Sequence, residues 1–456
     1  MAIPSAVSDL LQTQQIDFRE LGSETEATPR AHAHATVFQA EDDRFLVISP
    51  SDCLIDIGAL LRAAGRELRA LENNELQELC LQQEFNTVPA LPGVLELPLI
   101  IDELLLDKPE VLASSGARNE LIAVRGDVFT SAVQSGQAQS ASFSIPVNTI
   151  PLSDDSSGDQ AQISEAVNRF TTRRIKQRLE DTLEFPPLPE IAHRIIQLSA
   201  NPDADIKDLS DLVEIDASLS SQIVSWAASP YYAAPGEIKS VHDAIVRVLG
   251  FDLVMNLALG LALGKTLQVP RSGDTGYHKY WLESVYCAAL VELLIKKMPA
   301  HSRPPGGLAY LAGLLHNFGF LIMAELFKPQ LDLCIKYIRG NRHAGYAVCE
   351  QFLLGITRDQ LAAFLFEYWQ LPPGVCAAVR FQSAAEYDGE HEMLVNTLCL
   401  ARSLLSEYGL TENTVSGVSA HALAKLGLDQ SQVDAAMASL MAAEPDIREI
   451  ADKFST

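Results

Sequence analysis

The stretch Gly307–Phe327, GLAYLAGLLHNFGFLIMAELF, is almost wholly apolar, and a single polar pair, His316-Asn317, sits in its middle. Leu308, Leu311, Ala312, Leu315, Phe318 and Met323 recur at helical intervals, so most of it is expected as a buried helix. A His beside an Asn in such a helix needs a reason. Either the pair binds something, or His316 is a core histidine satisfied by hydrogen bonds.

At 456 residues the chain is too long for one ordinary core, and two or three domains are expected. Residues 1–130 mix periods. Ser5–Gln15, Asp56–Leu71 and Asn74–Gln82 read as helices; Thr36–Gln39, Arg44–Ile48, a run ending at Asp102, and Leu121–Val124 read as strands. That is an α+β domain with a mixed sheet. Residues 131–165 are rich in Ser, Gln, Gly, Asp and Pro and lose periodicity, which marks a linker. Nearly everything from Ala166 onward is helical, giving an all-α domain over 166–384 and a C-terminal helical extension over 385–456 that packs on it.

Charge narrows the function. The net charge is −25. Residues 1–155 hold 9 basic against 24 acidic side chains, and the remainder holds 25 against 35. Neither part has the basic surface that displaces counterions from nucleic acid, so no nucleic-acid partner is expected. RRIKQR, Arg173–Arg178, is the one dense basic cluster, and at helical spacing it reads as a solvated face. The seven cysteines are an odd number without a CxxC pair, in mostly apolar helical context; reduced thiols in a cytoplasmic protein follow. The N-terminus, MAIPSAVSDLLQTQQ, lacks a signal peptide's pattern. Leu257–Gly264, taken as the longest apolar run, is too short to cross a membrane, and no membrane association is expected.

The helical part resembles the HDOD family, relatives of the HD-type phosphohydrolases. Four separated segments carry the likeness in order: FPPLPEIAHRIIQLSANPDADIKDLSDLVEIDASLSSQIVSWAASPYYAAPGEIKSVHDAIVRVLG, YWLESVYCAAL, AGLLHNFGFLIM and YWQLPPGVCAAV. The first 130 residues resemble the YbaK/prolyl-tRNA editing deacylase fold, through HATVFQAEDDRFLVISPSDCLIDIGALL and VPALPGVLELPLIIDELLLDKPEVLASSGARNELIAV.

Each resemblance implies a site, and each site departs from its pattern. HD enzymes hold a divalent metal with an early His, a His-Asp pair and a late Asp. Here those positions are Glu283, His316-Asn317 and Arg402. Asn removes the anionic ligand, and an arginine repels a cation. His242, His278 and His343 form no ligand cluster by spacing. Further along, Arg358 and Phe381-Gln382 stand where many relatives carry histidines. The editing resemblance implies a Lys where this chain has Ala35, flanked by His32 and His34. Period-two geometry sends His34 to the opposite sheet face. The Ser114-Ser115-Gly116 segment reads as a turn. Trp226 and Trp281 read as core.

The expectation is a non-catalytic signalling or regulatory protein. Two degenerate enzyme scaffolds recognise protein partners of a signalling pathway or a ligand, with no catalytic residues, cofactor or metal. Glu283, His316, Asn317, Arg402 and Ala35 remain as vestigial site positions. The alternatives are a metal-dependent HD-type phosphohydrolase acting on nucleotides or cyclic dinucleotides, and an aminoacyl-tRNA deacylase.

Overall fold

The computed structural model describes residues 3–13, 18–21, 31–41, 43–117, 120–135, 138–153, 155–170, 187–199, 201–232, 236–265, 277–384, 386–411 and 420–454. The Arg173–Arg178 cluster lies outside the described residues. The chain divides into two compact units, and the division does not follow chain order. One takes Met1–Leu152 together with Asp332–Leu353; the other takes Ser153–Leu331, Leu354–Thr411 and Val415–Thr456.

The first unit is built on a mixed sheet. Its strands are β1 (Phe18–Leu21), β2 (Ala31–Ala40), β3 (Asp43–Pro50), β5 (Arg69–Ala70), β6 (Leu99–Asp102), β7 (Glu110–Ser114), β8 (Leu121–Arg125) and β9 (Ala138–Ala141). The order is β1-β8-β7-β2-β3-β6-β9, with β5 on β2. β4 (Cys53–Ile55) and β10 (Ser144–Pro146) form a separate pair. Alternation along β2 sorts two cores. Ala33, Ala35 and Val37 face one side, with Val7 and Leu11 of α1 (Ser5–Thr13), Leu79 of α3 (Asn73–Gln82) and Phe129 of α4 (Gly126–Ser135). Phe38 and Ala40 face the other, against Ile57 and Leu60 of α2 (Ile57–Ala64).

Tyr337, Val348 and Cys349 complete that second core. The segment that carries them, some 200 residues after the last strand, thus supplies part of a helical layer on the sheet. It is held by more than apolar contact. Asn341 is fully buried; its Oδ1 accepts from the Ile55 N–H at 2.5 Å, and its Nδ2 donates to the carbonyls of Ile55 and Tyr337, both at 3.0 Å. Tyr337 Oη donates to Asp56 Oδ1 at 2.7 Å, and Arg342 donates to the Leu71 carbonyl at 2.7 Å. His343 Nε2 donates to the Cys53 carbonyl at 2.8 Å, and its ring stacks on His34 with centroids 3.9 Å apart.

Two sequence expectations change here. The helix expected over Asp56–Leu71 stops at Ala64, because Gly65 caps it in the left-handed region at φ 66° and the chain turns out into β5. The linker expected over 131–165 holds the end of α4, β9, β10 and the start of α5 (Asp159–Phe170). Its polar, aperiodic composition suits an edge strand such as β9, whose residues are all exposed or half-buried.

The second unit is helical. After α5 come α6 (Glu190–Ser199), α7 (Ile206–Glu214), α8 (Ala217–Ala227) and α9 (Val241–Ala244), the last continuing as a π-turn to Leu249. Then follow α10 (Phe251–Gly264), α11 (Tyr277–Lys297), α12 (Gly306–Leu315) and α13 (Phe318–Leu326). α14 (Lys328–Gly340) and α15 (Tyr346–Leu354) lie largely in the first unit. α16 (Arg358–Tyr368), α17 (Pro373–Arg380), α18 (Glu392–Glu407), α19 (Ala420–Leu426), α20 (Gln430–Ala442) and α21 (Glu444–Phe454) complete the chain. α11 is the axis: α12, α18, α20 and α21 all pack on it. Among the described residues Gly306–Leu326, rather than Leu257–Gly264, is the helical stretch long and apolar enough to cross a membrane, and 89% of its apolar window is buried inside the protein. The cysteines are free thiols, six of them buried.

Asn341→Ala removes the partners of the buried Ile55 N–H and C=O. Each orphaned group costs about 1–3 kcal/mol. A loss of about 3 kcal/mol of stability is expected by urea denaturation, with faster hydrogen exchange at the Ile55 amide.

Candidate functional site

The apolar stretch is two helices, not one, and the polar pair is the break. α12 ends at Leu315, His316 is its C-cap residue, and Asn317 precedes α13. Glycines on both sides bring neighbouring backbones close. A Cβ on Gly313 would lie 2.6 Å from Cα of Ala288 in α11, and one on Gly319 would lie 1.9 Å from the Arg358 carbonyl oxygen at the start of α16. The pair is therefore pressed between α11 and α16 and is sealed from solvent, with His316 8% and Asn317 7% exposed.

Hydrogen bonds tie the pair to its neighbours. His316 Nδ1 donates to the Gly313 carbonyl at 2.8 Å. Asn317 Oδ1 accepts from Arg358 at 3.0 Å, and the Arg358 guanidinium lies 5.2 Å from the centre of the Phe320 ring. Gln382 Nε2 donates to the His316 carbonyl at 2.7 Å and to Asp359 Oδ1 at 2.8 Å. Ser383 Oγ donates to the other Asp359 oxygen at 2.8 Å. Arg402 of α18 donates to the Gln382 carbonyl at 2.6 Å. Burial, and then the Arg402 cation, hold the His316 imidazole down at about 3, with Arg358 acting the same way. Glu283 of α11 is 7% exposed, and it shares a neighbourhood with Arg402: both act on the buried Cys287 thiol, which burial pushes up to about 12.

Glu283, His316, Asn317 and Arg402 are all buried in the helical unit, and Arg358 and Gln382 bond directly to the His316-Asn317 pair. The donor set does not fit a divalent cation. The Asn317 oxygen is held by one guanidinium, and a second guanidinium, Arg402, acts on the His316 ring. Among the described residues no three His, Cys, Asp or Glu side chains converge as a metal site.

Sequence reasoning missed a neighbouring network. Arg380 is 8% exposed and grips Asp159 through Nε at 2.5 Å and a second nitrogen at 2.9 Å. Gln360 donates to Asp159 at 2.7 Å while accepting from the Thr357 N–H at 2.8 Å. The one local signal was the capping box Thr357-Arg358-Asp359-Gln360.

In the first unit Ala35 is 6% exposed within an apolar core, and His34 lies on the opposite sheet face. The Ser114–Gly116 segment is a turn. Ser114 Oγ lies 3.1 Å from Thr87 Oγ1 and accepts from the Gly116 N–H at 3.2 Å, while the Phe85 ring occupies the space a Cβ on Gly116 would need.

A histidine held at about 3 when folded and near 6.5 when unfolded binds fewer protons in the folded state. Its contribution is complete above pH 6.5 and is lost as pH falls toward 3, at up to about 1.4 kcal/mol per pH unit. The His316 ring signals are expected to stay neutral from pH 8 to 5 by NMR, and His316→Gln is expected to flatten the acid limb of the stability curve.

Residues 185–385 match the HDOD domain. A protein from Marinobacter aquaeolei VT8, provisionally assigned to signal transduction, is 36% identical over 100% of both chains, and the two structures superpose with a TM-score of 0.86. An uncharacterized protein of Treponema pallidum (strain Nichols) is 23% identical over 228 residues, 50% of this chain and 42% of its own length; this chain thus spans less than half of that relative. The first unit also has a weaker likeness to a structure provisionally named as a trans-editing enzyme for prolyl tRNA synthetase. That one is 22% identical over 32% of this chain and 99% of its own, with a TM-score of 0.27. With residues 185–385 matched to the domain and its whole length matched to a 36%-identical structure, the chain belongs to the HDOD-domain proteins.

Proposed function

We propose that the protein is a non-catalytic signalling module of the cytoplasm that acts by recognising a protein partner or a ligand. The observation that carries this reading is the pair of buried guanidiniums, Arg358 and Arg402, at the polar break where the HD resemblance implies a metal. A metal-dependent hydrolase needs an anionic donor set to hold the cation that lowers the pKa of a bound water. Here two fixed positive charges oppose the binding of that cation. The provisional signal-transduction assignment of the 36%-identical relative supports the same reading, and the free thiols suit a reducing compartment. In the first unit, Ala35 offers no charge to hold an aminoacyl group.

The phosphohydrolase alternative is tested directly. Purified full-length protein is expected to carry no stoichiometric transition metal by elemental analysis. It is also expected to leave nucleotides, cyclic dinucleotides and bis(p-nitrophenyl) phosphate intact in Mn²⁺ or Mg²⁺. Turnover that disappears in His316→Ala would overturn the non-catalytic reading. The same holds for release of an amino acid from a panel of mischarged tRNAs.

A further inference from the structure

A cavity of about 340 Å³ opens in the helical unit between α16, α17 and the loop leading to α18, and it shares no residue with the His316 neighbourhood. Its walls combine two kinds of chemistry. Phe381 and Tyr387 stack with ring centroids 4.7 Å apart and an interplanar angle of 22°, forming one aromatic face. Glu367 and Glu390 supply carboxylates, and among the described residues neither has a hydrogen-bond or ion-pair partner. The one cation of the wall, Arg380, is committed elsewhere: it is bidentate to Asp159, bonded to the Asp155 carbonyl at 2.8 Å, and stacked 5.0 Å over Phe381. The nearby Lys425 is likewise committed, to Asp388 and to Glu392.

The aromatic face is built in advance. Asn396 brackets Tyr387, accepting from its N–H at 3.1 Å and donating to its carbonyl at 2.7 Å; Lys425 donates to the same carbonyl at 2.6 Å. A Cβ on residue 389 would stand 2.2 Å from the Tyr387 hydroxyl, so the glycine lets the Tyr387 ring keep its place. A pocket with an aromatic wall, two carboxylates without an ion-pair partner and an arginine already paired with Asp159 selects positive charge. We propose that this cavity binds a small organic cation, an aliphatic amine or guanidinium, with Glu367 and Glu390 as counter-charges and the Phe381–Tyr387 pair as the wall. Partial burial and the nearby Asp159 hold the Glu367 carboxyl above its usual range, and a bound cation relieves that strain.

The site gives the recognition reading a ligand class, but it does not depend on whether the His316 neighbourhood is catalytic. Agmatine, which carries one guanidinium and one amine, is titrated calorimetrically into the full-length protein at low ionic strength, with glutarate as the anionic control. Saturable 1:1 binding of agmatine, no binding of glutarate, and an affinity at least about tenfold weaker in Glu367→Gln/Glu390→Gln are expected. Tyr387→Leu is expected to weaken agmatine while the unfolding temperature of the exposed-site double variant stays at the wild-type value. Absence of saturable heat, equal affinity in the double variant, or preference for glutarate overturns the proposal. Turnover of phosphodiesters by the His316 site would leave this result unchanged, so the two readings fail separately.

Discussion

A guanidinium cannot be deprotonated at any accessible pH, so a buried arginine forces its surroundings to supply acceptors. Arg358, Arg380 and Arg402 are each less than a tenth exposed, and between them they dictate the polar interior of the helical unit. Arg358 takes the side-chain oxygen of Asn317; Arg402 takes the backbone of Gln382; Arg380 takes a whole carboxylate from Asp159 and two further carbonyls. Removing one member of such a set leaves an uncompensated charge, which costs far more than the intact set contributes. The arrangement therefore behaves as a unit, fixing α13, α16, α17 and α18 against one another and tying down the start of α5.

The same arithmetic explains why the polar break keeps its histidine. A neutral imidazole beside two fixed cations is tolerated, and its one proton goes to the Gly313 carbonyl. An aspartate in place of Asn317 would gain an ion pair with Arg358, yet it would add another buried carboxylate to an interior that already holds Glu283 and Asp359. Asn keeps the acceptor without the charge.

How much of this the amino-acid sequence reveals depends on the range of the interaction. The helical half and its apolar centre are legible because amphipathic period and Gly spacing are local. Glu283, Asn317 and Arg402 are singled out by the resemblance alone, and what the structure shows of all three is their burial. The break between α12 and α13 was not legible, since the apolar pattern runs through it and only the close approach at Gly313 and Gly319 reveals it. The Asp159–Arg380 pair spans 221 residues, and Asn341 reaches Ile55 across 286. Nothing local to Tyr337 and Val348 says that they pack against the sheet. The segment 131–165 misled for the opposite reason: an edge strand carries the composition of a linker.

The layer supplied by residues 332–353 has a consequence for how this chain came to be assembled. A sheet domain whose second face is covered by a stretch from within the helical array cannot be inherited as a separate cassette. One recombination point between the halves would deliver a sheet with Phe38, Val47, Leu60 and Ile100 short of their cover, and a helical array with a stretch no longer packed on its sheet.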